Sequence, residues 1–160
     1  MGKQAATFLQ ALKQAGHRIT SQRQAICEYL AATDKHPTPY QVYADISTEH
    51  PEISRATVYN TLNTLQSLGA IVEIKLGEDQ THYETNLTPH INLLCLRCHQ
   101  IIDYAGILPL EDLQKVLVAE TGFQPVAAKI DIIGFCQSCQ QRRKAEIRAQ
   151  WRAQTIVQKE

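Results

Sequence analysis

Four cysteines set the strongest constraint on this chain. Cys95-Leu96-Arg97-Cys98 and Cys136-Gln137-Ser138-Cys139 repeat one spacing, with two residues between the thiols of each pair. That spacer lets both sulfurs of a pair face one cation, and two such pairs complete the tetrahedral sulfur set that Zn2+ prefers. The interval from Cys98 to Cys136 exceeds that of a short zinc ribbon, so a strand–helix–strand excursion must bring its ends back together. Four buried or redox thiols are the competing reading. A thioredoxin-type CxxC sits in a βαβ context and comes as one pair, so two matched pairs favour one structural zinc per subunit. No apolar run is long enough to cross a bilayer, and the Met1 region lacks a signal-peptide stretch, so a cytoplasmic chain with no membrane partner is expected. Disulfides are rare in that compartment. The fifth cysteine, Cys27, lies on an apolar helical stripe and reads as core.

Ahead of the first cysteine pair the sequence patterns as helices and then a hairpin. Phe8, Leu9 and Leu12 recur at helical spacing before Gly16; Thr20 or Ser21 caps a second helix burying Ile26, Cys27 and Leu30. Thr38-Pro39-Tyr40-Gln41 combines a capping box with Pro at the first helical position. A fourth helix runs from Ser54 to Gly69 with Val58, Leu62, Leu65 and Leu68 on one stripe. Val72, Ile74 and Leu76 then alternate with charged residues, Gly77-Glu78-Asp79 turns, and Thr81–Thr85 returns. This is the outline of a winged helix-turn-helix domain over 1–86, with a helical packing module carrying an incidental hairpin as the alternative. Residues 87–143 read as a small α/β domain: strands at Ile91–Leu96, Ile101–Tyr104 and Val126–Phe135, and a helix over Pro109–Glu120. Residues 144–160 form a basic helical tail. The fold class is α+β.

Charge narrows the possible partners. Residues 1–86 hold 7 Lys/Arg against 9 Asp/Glu, a net of −2, while 87–160 hold 9 against 7, a net of +2. A nucleic-acid surface must therefore come from a few well-placed groups rather than a basic domain. Opposite the apolar stripe of the fourth helix lie Ala56, Tyr59, Asn60, Asn63 and Ser67, without a charge run. Asn pairs with adenine, and Ala and Tyr pack on thymine methyls, so this face suits base edges. A merely solvated face would more usually carry Glu and Lys. Arg55 at the helix start suits phosphate or guanine, and Arg18, Arg23, Lys75 and His82 are candidate backbone contacts. Elsewhere Glu84, His90 and Asp103 cluster around the 86–89 linker, and nitrogen and oxygen donors there suit Fe2+, Mn2+ or Zn2+.

These residues resemble the ferric uptake regulator family of bacterial metal-dependent repressors, over residues 7–143. The matching stretches are Arg18-Ile19-Thr20-Ser21-Gln22-Arg23, His36-Pro37-Thr38, Ala56-Thr57-Val58-Tyr59 and His90-Ile91-Asn92-Leu93-Leu94-Cys95-Leu96-Arg97-Cys98. The resemblance implies a homodimer, with a winged helix reading an inverted repeat in double-stranded DNA and a C-terminal dimerisation domain. It also implies a four-Cys structural zinc and a regulatory Fe2+ or Mn2+ on His36, Glu84, His90 and Asp103. Asn92 stands where members commonly carry a second His, and an amide oxygen is a weaker ligand than imidazole. A further family site using His on the last strand is not expected, because Ala127 and Ala128 stand there. Asp103 resembles the peroxide-stress regulators, whereas Glu84 points to the iron-uptake regulators.

The leading expectation is a metal-gated repressor responding to peroxide, with plain iron or manganese sensing as the alternative. A zinc hydrolase or deaminase is disfavoured, because four cysteines close the zinc shell and no HExxH motif is present. A metal-buffering protein without DNA function is the third possibility. No catalytic residue is expected.

Overall fold

Side-chain caps decide where the early helices begin. The computed structural model describes residues 2–33, 35–75, 81–88, 90–104, 106, 110–124 and 130–157. Thr20, Thr38 and Ser54 each accept a hydrogen bond from the backbone N–H three residues on, satisfying a donor that the first helical turn leaves unpaired. They open α2 (Ser21–Ala32), α3 (Pro39–Glu49) and α4 (Arg55–Ser67). At Thr38 the capping box is complete, since Gln41 also accepts from the Thr38 N–H. Gly16 and Gly69, both at positive φ, follow α1 (Lys3–Gln14) and α4, a backbone turn that glycine makes without a Cβ penalty.

The chain divides into two compact units, Met1–Thr88 and Pro89–Glu160. In the first, α1–α4 close around Phe8, Leu12, Ile26, Leu30, Val42, Val58, Leu62 and Leu65, all buried. Cys27 is fully buried in the same cluster, and burial pushes its thiol up to about 12. Leu68 departs from the expected stripe: it is the C-cap of α4 and is exposed, because the helix ends before that position turns inward. The hairpin β1 (Val72–Lys75) and β2 (Thr81–Glu84) is antiparallel, pairing Val72 with Glu84. Leu76 and the turn expected at 77–79 lie outside the described residues.

The second unit is a three-stranded sheet in the order β4–β3–β5, where β3 is Ile91–Cys95, β4 Ile101–Tyr104 and β5 Ile130–Gly134. β4 runs antiparallel and β5 parallel to β3, with α5 (Leu110–Thr121) in the crossover that a parallel neighbour requires. The expected strand start at Val126 lies outside the described residues, as do Ala127 and Ala128. The helical tail begins earlier than its composition suggests: α6 spans Gln137–Val157 and starts inside the second cysteine pair. Ile102, Tyr104, Val116, Leu117, Phe123, Ile132 and Ile133 are exposed in the single chain, so both the outer strands and α5 offer apolar surface. Among the described residues no helix is long and apolar enough to cross a membrane.

Candidate functional sites

The thiolate cluster is assembled by strand ends. Cys95 closes β3, Cys98 follows in the next turn, β5 leads into Cys136, and Cys139 sits in the first turn of α6. One sulfur from each lies within 4.8 Å of the others, and Cys98 Sγ is 3.7 Å from Cys136 Sγ with no disulfide. Sulfurs 2.3 Å from a tetrahedral Zn2+ stand about 3.8 Å apart, so the set fits a structural zinc. Burial raises the Cys95 thiol, but backbone N–H groups of Cys98, Cys136 and Arg97 outweigh it and bring the thiol down to about 6. Burial and then the neighbouring Cys136, Cys98 and Cys95 push Cys139 up to about 12. Backbone N–H groups thus favour the thiolate at Cys95, while burial and the neighbouring sulfurs disfavour it at Cys139. Arg97 of the first pair forms a two-pronged pair with Glu146 of α6, so the helix is fastened to the opposite cysteine turn.

The first unit also holds a buried imidazole–carboxylate pair. His36 precedes the Thr38 cap, Glu84 ends β2, and His36 Nε2 lies 2.5 Å from Glu84 Oε2 with both side chains almost fully buried. The Asn86 N–H donates to Glu84 Oε1, and the Tyr83 N–H donates to the Pro37 carbonyl at 3.0 Å, tying the loop to the strand. His82 does not reach a surface that phosphate would occupy. Its ring is buried, Nδ1–H donates to the His36 carbonyl at 2.7 Å, and its buried Nε2 lacks a hydrogen-bond partner among the described residues. β2 is covered on both faces: Tyr83 joins the helical core, while His82 and Glu84, which alternation puts on the other face, are buried as well.

The second unit presents a matching donor set. His90 Nε2 lies 4.0 Å from Asp103 Oδ1 and 3.0 Å from Asn92 Oδ1. Asn92 is 1% exposed, and its Nδ2 donates to Asp131 Oδ1 at 3.2 Å. Asp131 was not among the expected site residues. It sits in an apolar strand pattern, and only the β3–β5 register sets it opposite Asn92.

On α4 the expected base-reading face is outward: Arg55, Ala56, Tyr59, Asn60, Asn63 and Ser67 are all exposed. The Arg55 guanidinium rests 5.1 Å from the Tyr43 ring centroid and 5.9 Å from that of Tyr40, held at the helix start by cation–π attraction. At the start of α2, exposed Arg18 accepts on its carbonyl from Arg23 Nη1 at 2.8 Å. Lys75 is exposed beside Glu73 on β1.

A winged-helix unit joined to a cysteine-stapled α+β unit, each offering imidazole and carboxylate donors, defines a two-unit metalloprotein of regulatory type. The model of the ferric uptake regulator family matches residues 14–133. The chain belongs to the ferric uptake regulator family. It is 33% identical over 132 residues to the peroxide-responsive repressor PerR of Staphylococcus aureus, covering 82% of this chain and 88% of that one. The structure of the ferric uptake regulator from Francisella tularensis with iron is similar at a TM-score of 0.62 and 30% identity, covering 78% of this chain and 96% of that one. The ferric uptake regulator of Vibrio cholerae is similar at 0.63 and 28%, covering 79% and 98%.

Proposed function

We propose that this protein is a cytoplasmic, homodimeric, metal-dependent transcriptional repressor that binds an A/T-rich inverted repeat and releases it on peroxide exposure. In this reading residues 1–86 are the DNA-binding domain, 87–143 the dimerisation and metal-binding domain, and 144–160 a basic tail. The buried His36–Glu84 pair carries the proposal. An imidazole and a carboxylate withdrawn from water inside a DNA-reading unit make a half-complete ligand set. His90 and Asp103 supply the same two donor types in the other unit, with Asn92 adding an amide oxygen. Nitrogen and oxygen donors of this kind suit Fe2+ or Mn2+. A metal held by both units favours one arrangement of them, and that differential affinity selects the DNA-competent dimer.

Fe2+, when bound, supplies redox chemistry toward peroxide, and the imidazoles of His36 and His90 are then the oxidisable ligands. The relation to the Staphylococcus aureus peroxide-responsive repressor supports this reading over metal sensing alone. The exposed strands and α5 of the second unit support a dimer, since apolar patches of this kind mark association surfaces. The uncharged α4 face with Arg55, Ala56, Tyr59, Asn60 and Asn63 supports base reading, and Arg18 and Arg23 support backbone contact. The test is DNA binding by zinc-loaded protein with Fe2+ or Mn2+, before and after brief peroxide. Binding that needs the metal, then loss with a +16 Da adduct on His36 or His90 in the iron form alone, is expected. Metal-dependent binding that survives peroxide with both histidines intact would leave iron or manganese sensing as the function.

A further inference from the structure

The donor set of the second unit depends on a residue outside it. Asn92 is on the central strand β3, and its register partners are Asp103 on β4 and Asp131 on β5. Residues paired across a sheet project to the same face, so Asp103, Asn92 and Asp131 form one row. An amide has a donor end and an acceptor end of nearly equal shape, and its neighbours decide which way it points. Asp131 is acceptor-only when ionised and lies 3.2 Å from Asn92 Nδ2, so the NH2 end faces it. The oxygen end then faces His90 Nε2 at 3.0 Å. With the amide reversed, two N–H groups would point at the ligand cluster and oppose a cation. Asn92 is 1% exposed, so no bulk water competes to set its orientation.

We propose that Asp131 is a positioning residue of the regulatory metal site, which locks the Asn92 amide so that its oxygen serves the cation held by His90 and Asp103. This rests on the regulatory-metal reading above. It gives the substitution of imidazole by Asn92 a physical counterpart: a carboxylate that makes a weak, ambiguous ligand point one way. Partners of this kind in other metal sites affect affinity about 10–100-fold.

The test uses zinc-loaded full-length protein and Mn2+, with uptake read from loss of the free aqueous Mn2+ electron paramagnetic resonance signal. Asp131→Ala should weaken Mn2+ binding by about tenfold or more, whereas Asp131→Asn, which keeps an acceptor oxygen, should stay within about threefold of wild type. In an Asn92→Ala background, Asp131→Ala should cost nothing further, because the group it orients is gone. A second readout needs no added metal: the Asn92 side-chain NH2 protons should be shifted and slow to exchange in wild type and Asp131→Asn, and lose both features in Asp131→Ala. Unchanged amide signals in Asp131→Ala, unchanged affinity, or an equal loss in the Asn92→Ala background overturns the proposal. A wild type that takes up no Mn2+ beyond its zinc overturns the regulatory-metal reading and this one together, while normal uptake with an indifferent Asp131 overturns this one alone.

Discussion

Replacing His36 by Ala should destabilise the protein far more than replacing Glu84 by Gln, although both remove a metal donor. The side chains are 5% and 7% exposed, with Nε2 and Oε2 2.5 Å apart. His36→Ala leaves a buried carboxylate without its imidazole, and removing one partner of a buried pair costs about 3–5 kcal/mol. The Asn86 N–H still donates to Oε1, which places the loss near the lower end, about 3 kcal/mol. For a unit of this size each kcal/mol moves the melting temperature by about 4–8 °C, so the fall should be roughly 12–24 °C. Glu84→Gln keeps an oxygen for the Asn86 N–H and offers an NH2 to the ring, so no buried group is stranded and the change should stay within about 1 kcal/mol. The assay is thermal unfolding of zinc-loaded protein without added Fe2+ or Mn2+, followed by near-ultraviolet dichroism of tyrosine. Five of the six tyrosines, Tyr29, Tyr40, Tyr43, Tyr59 and Tyr83, belong to the first unit, whereas the single tryptophan, Trp151, belongs to the second. The tyrosine signal therefore reports mainly on the first unit. Equal destabilisation by the two variants, or a His36→Ala loss under about 1 kcal/mol, would refute the stranded-charge argument.

Removing the structural zinc, by strong chelation or by Cys98→Ser, should unfold the second unit and dissociate the dimer in one step, because metal binding here is folding free energy; a zinc-free protein that remains a folded dimer by light scattering contradicts this. Tyr59→Ala or Asn60→Ala should relax base preference by about 1–3 kcal/mol per lost contact without changing stability, since both side chains are exposed; sequence selection that returns the same operators for both variants would remove α4 as the reading helix. Cys27, buried and pushed up to about 12, holds only about one part in 10,000 as the reactive thiolate at pH 8, so alkylation should spare it until the first unit unfolds; rapid labelling in the native protein would contradict that burial.

Much of this architecture was legible because its signals are local. A capping box such as Thr38–Gln41 is written in four consecutive residues, the α4 stripe in one period, and the cysteine pairs in their spacing. Those features need no knowledge of distant contacts. The errors share a different character. His82 reads as an exposed base because strand alternation predicts one covered face, whereas β2 is covered on both. Leu68 continues the helical period onto the C-cap, one position beyond the last helical residue, Ser67.

Asp131 shows the limit most clearly. In sequence it is one acidic residue among isoleucines, and 39 positions separate it from Asn92. Only the parallel pairing of β3 with β5 sets the two side by side, and that register arises from the same crossover that returns Cys136 to Cys95. The β3–β5 pair ends with Cys95 opposite Gly134, two residues before Cys136. A one-residue slip would turn Asp131 to the other face and move Cys136 off the sulfur cluster together. The zinc that staples this unit therefore also fixes the register that aligns Asp131 with Asn92. On this argument the structural and regulatory metals are coupled through a single strand pairing: loss of the first should degrade the donor geometry of the second even where the peptide remains intact.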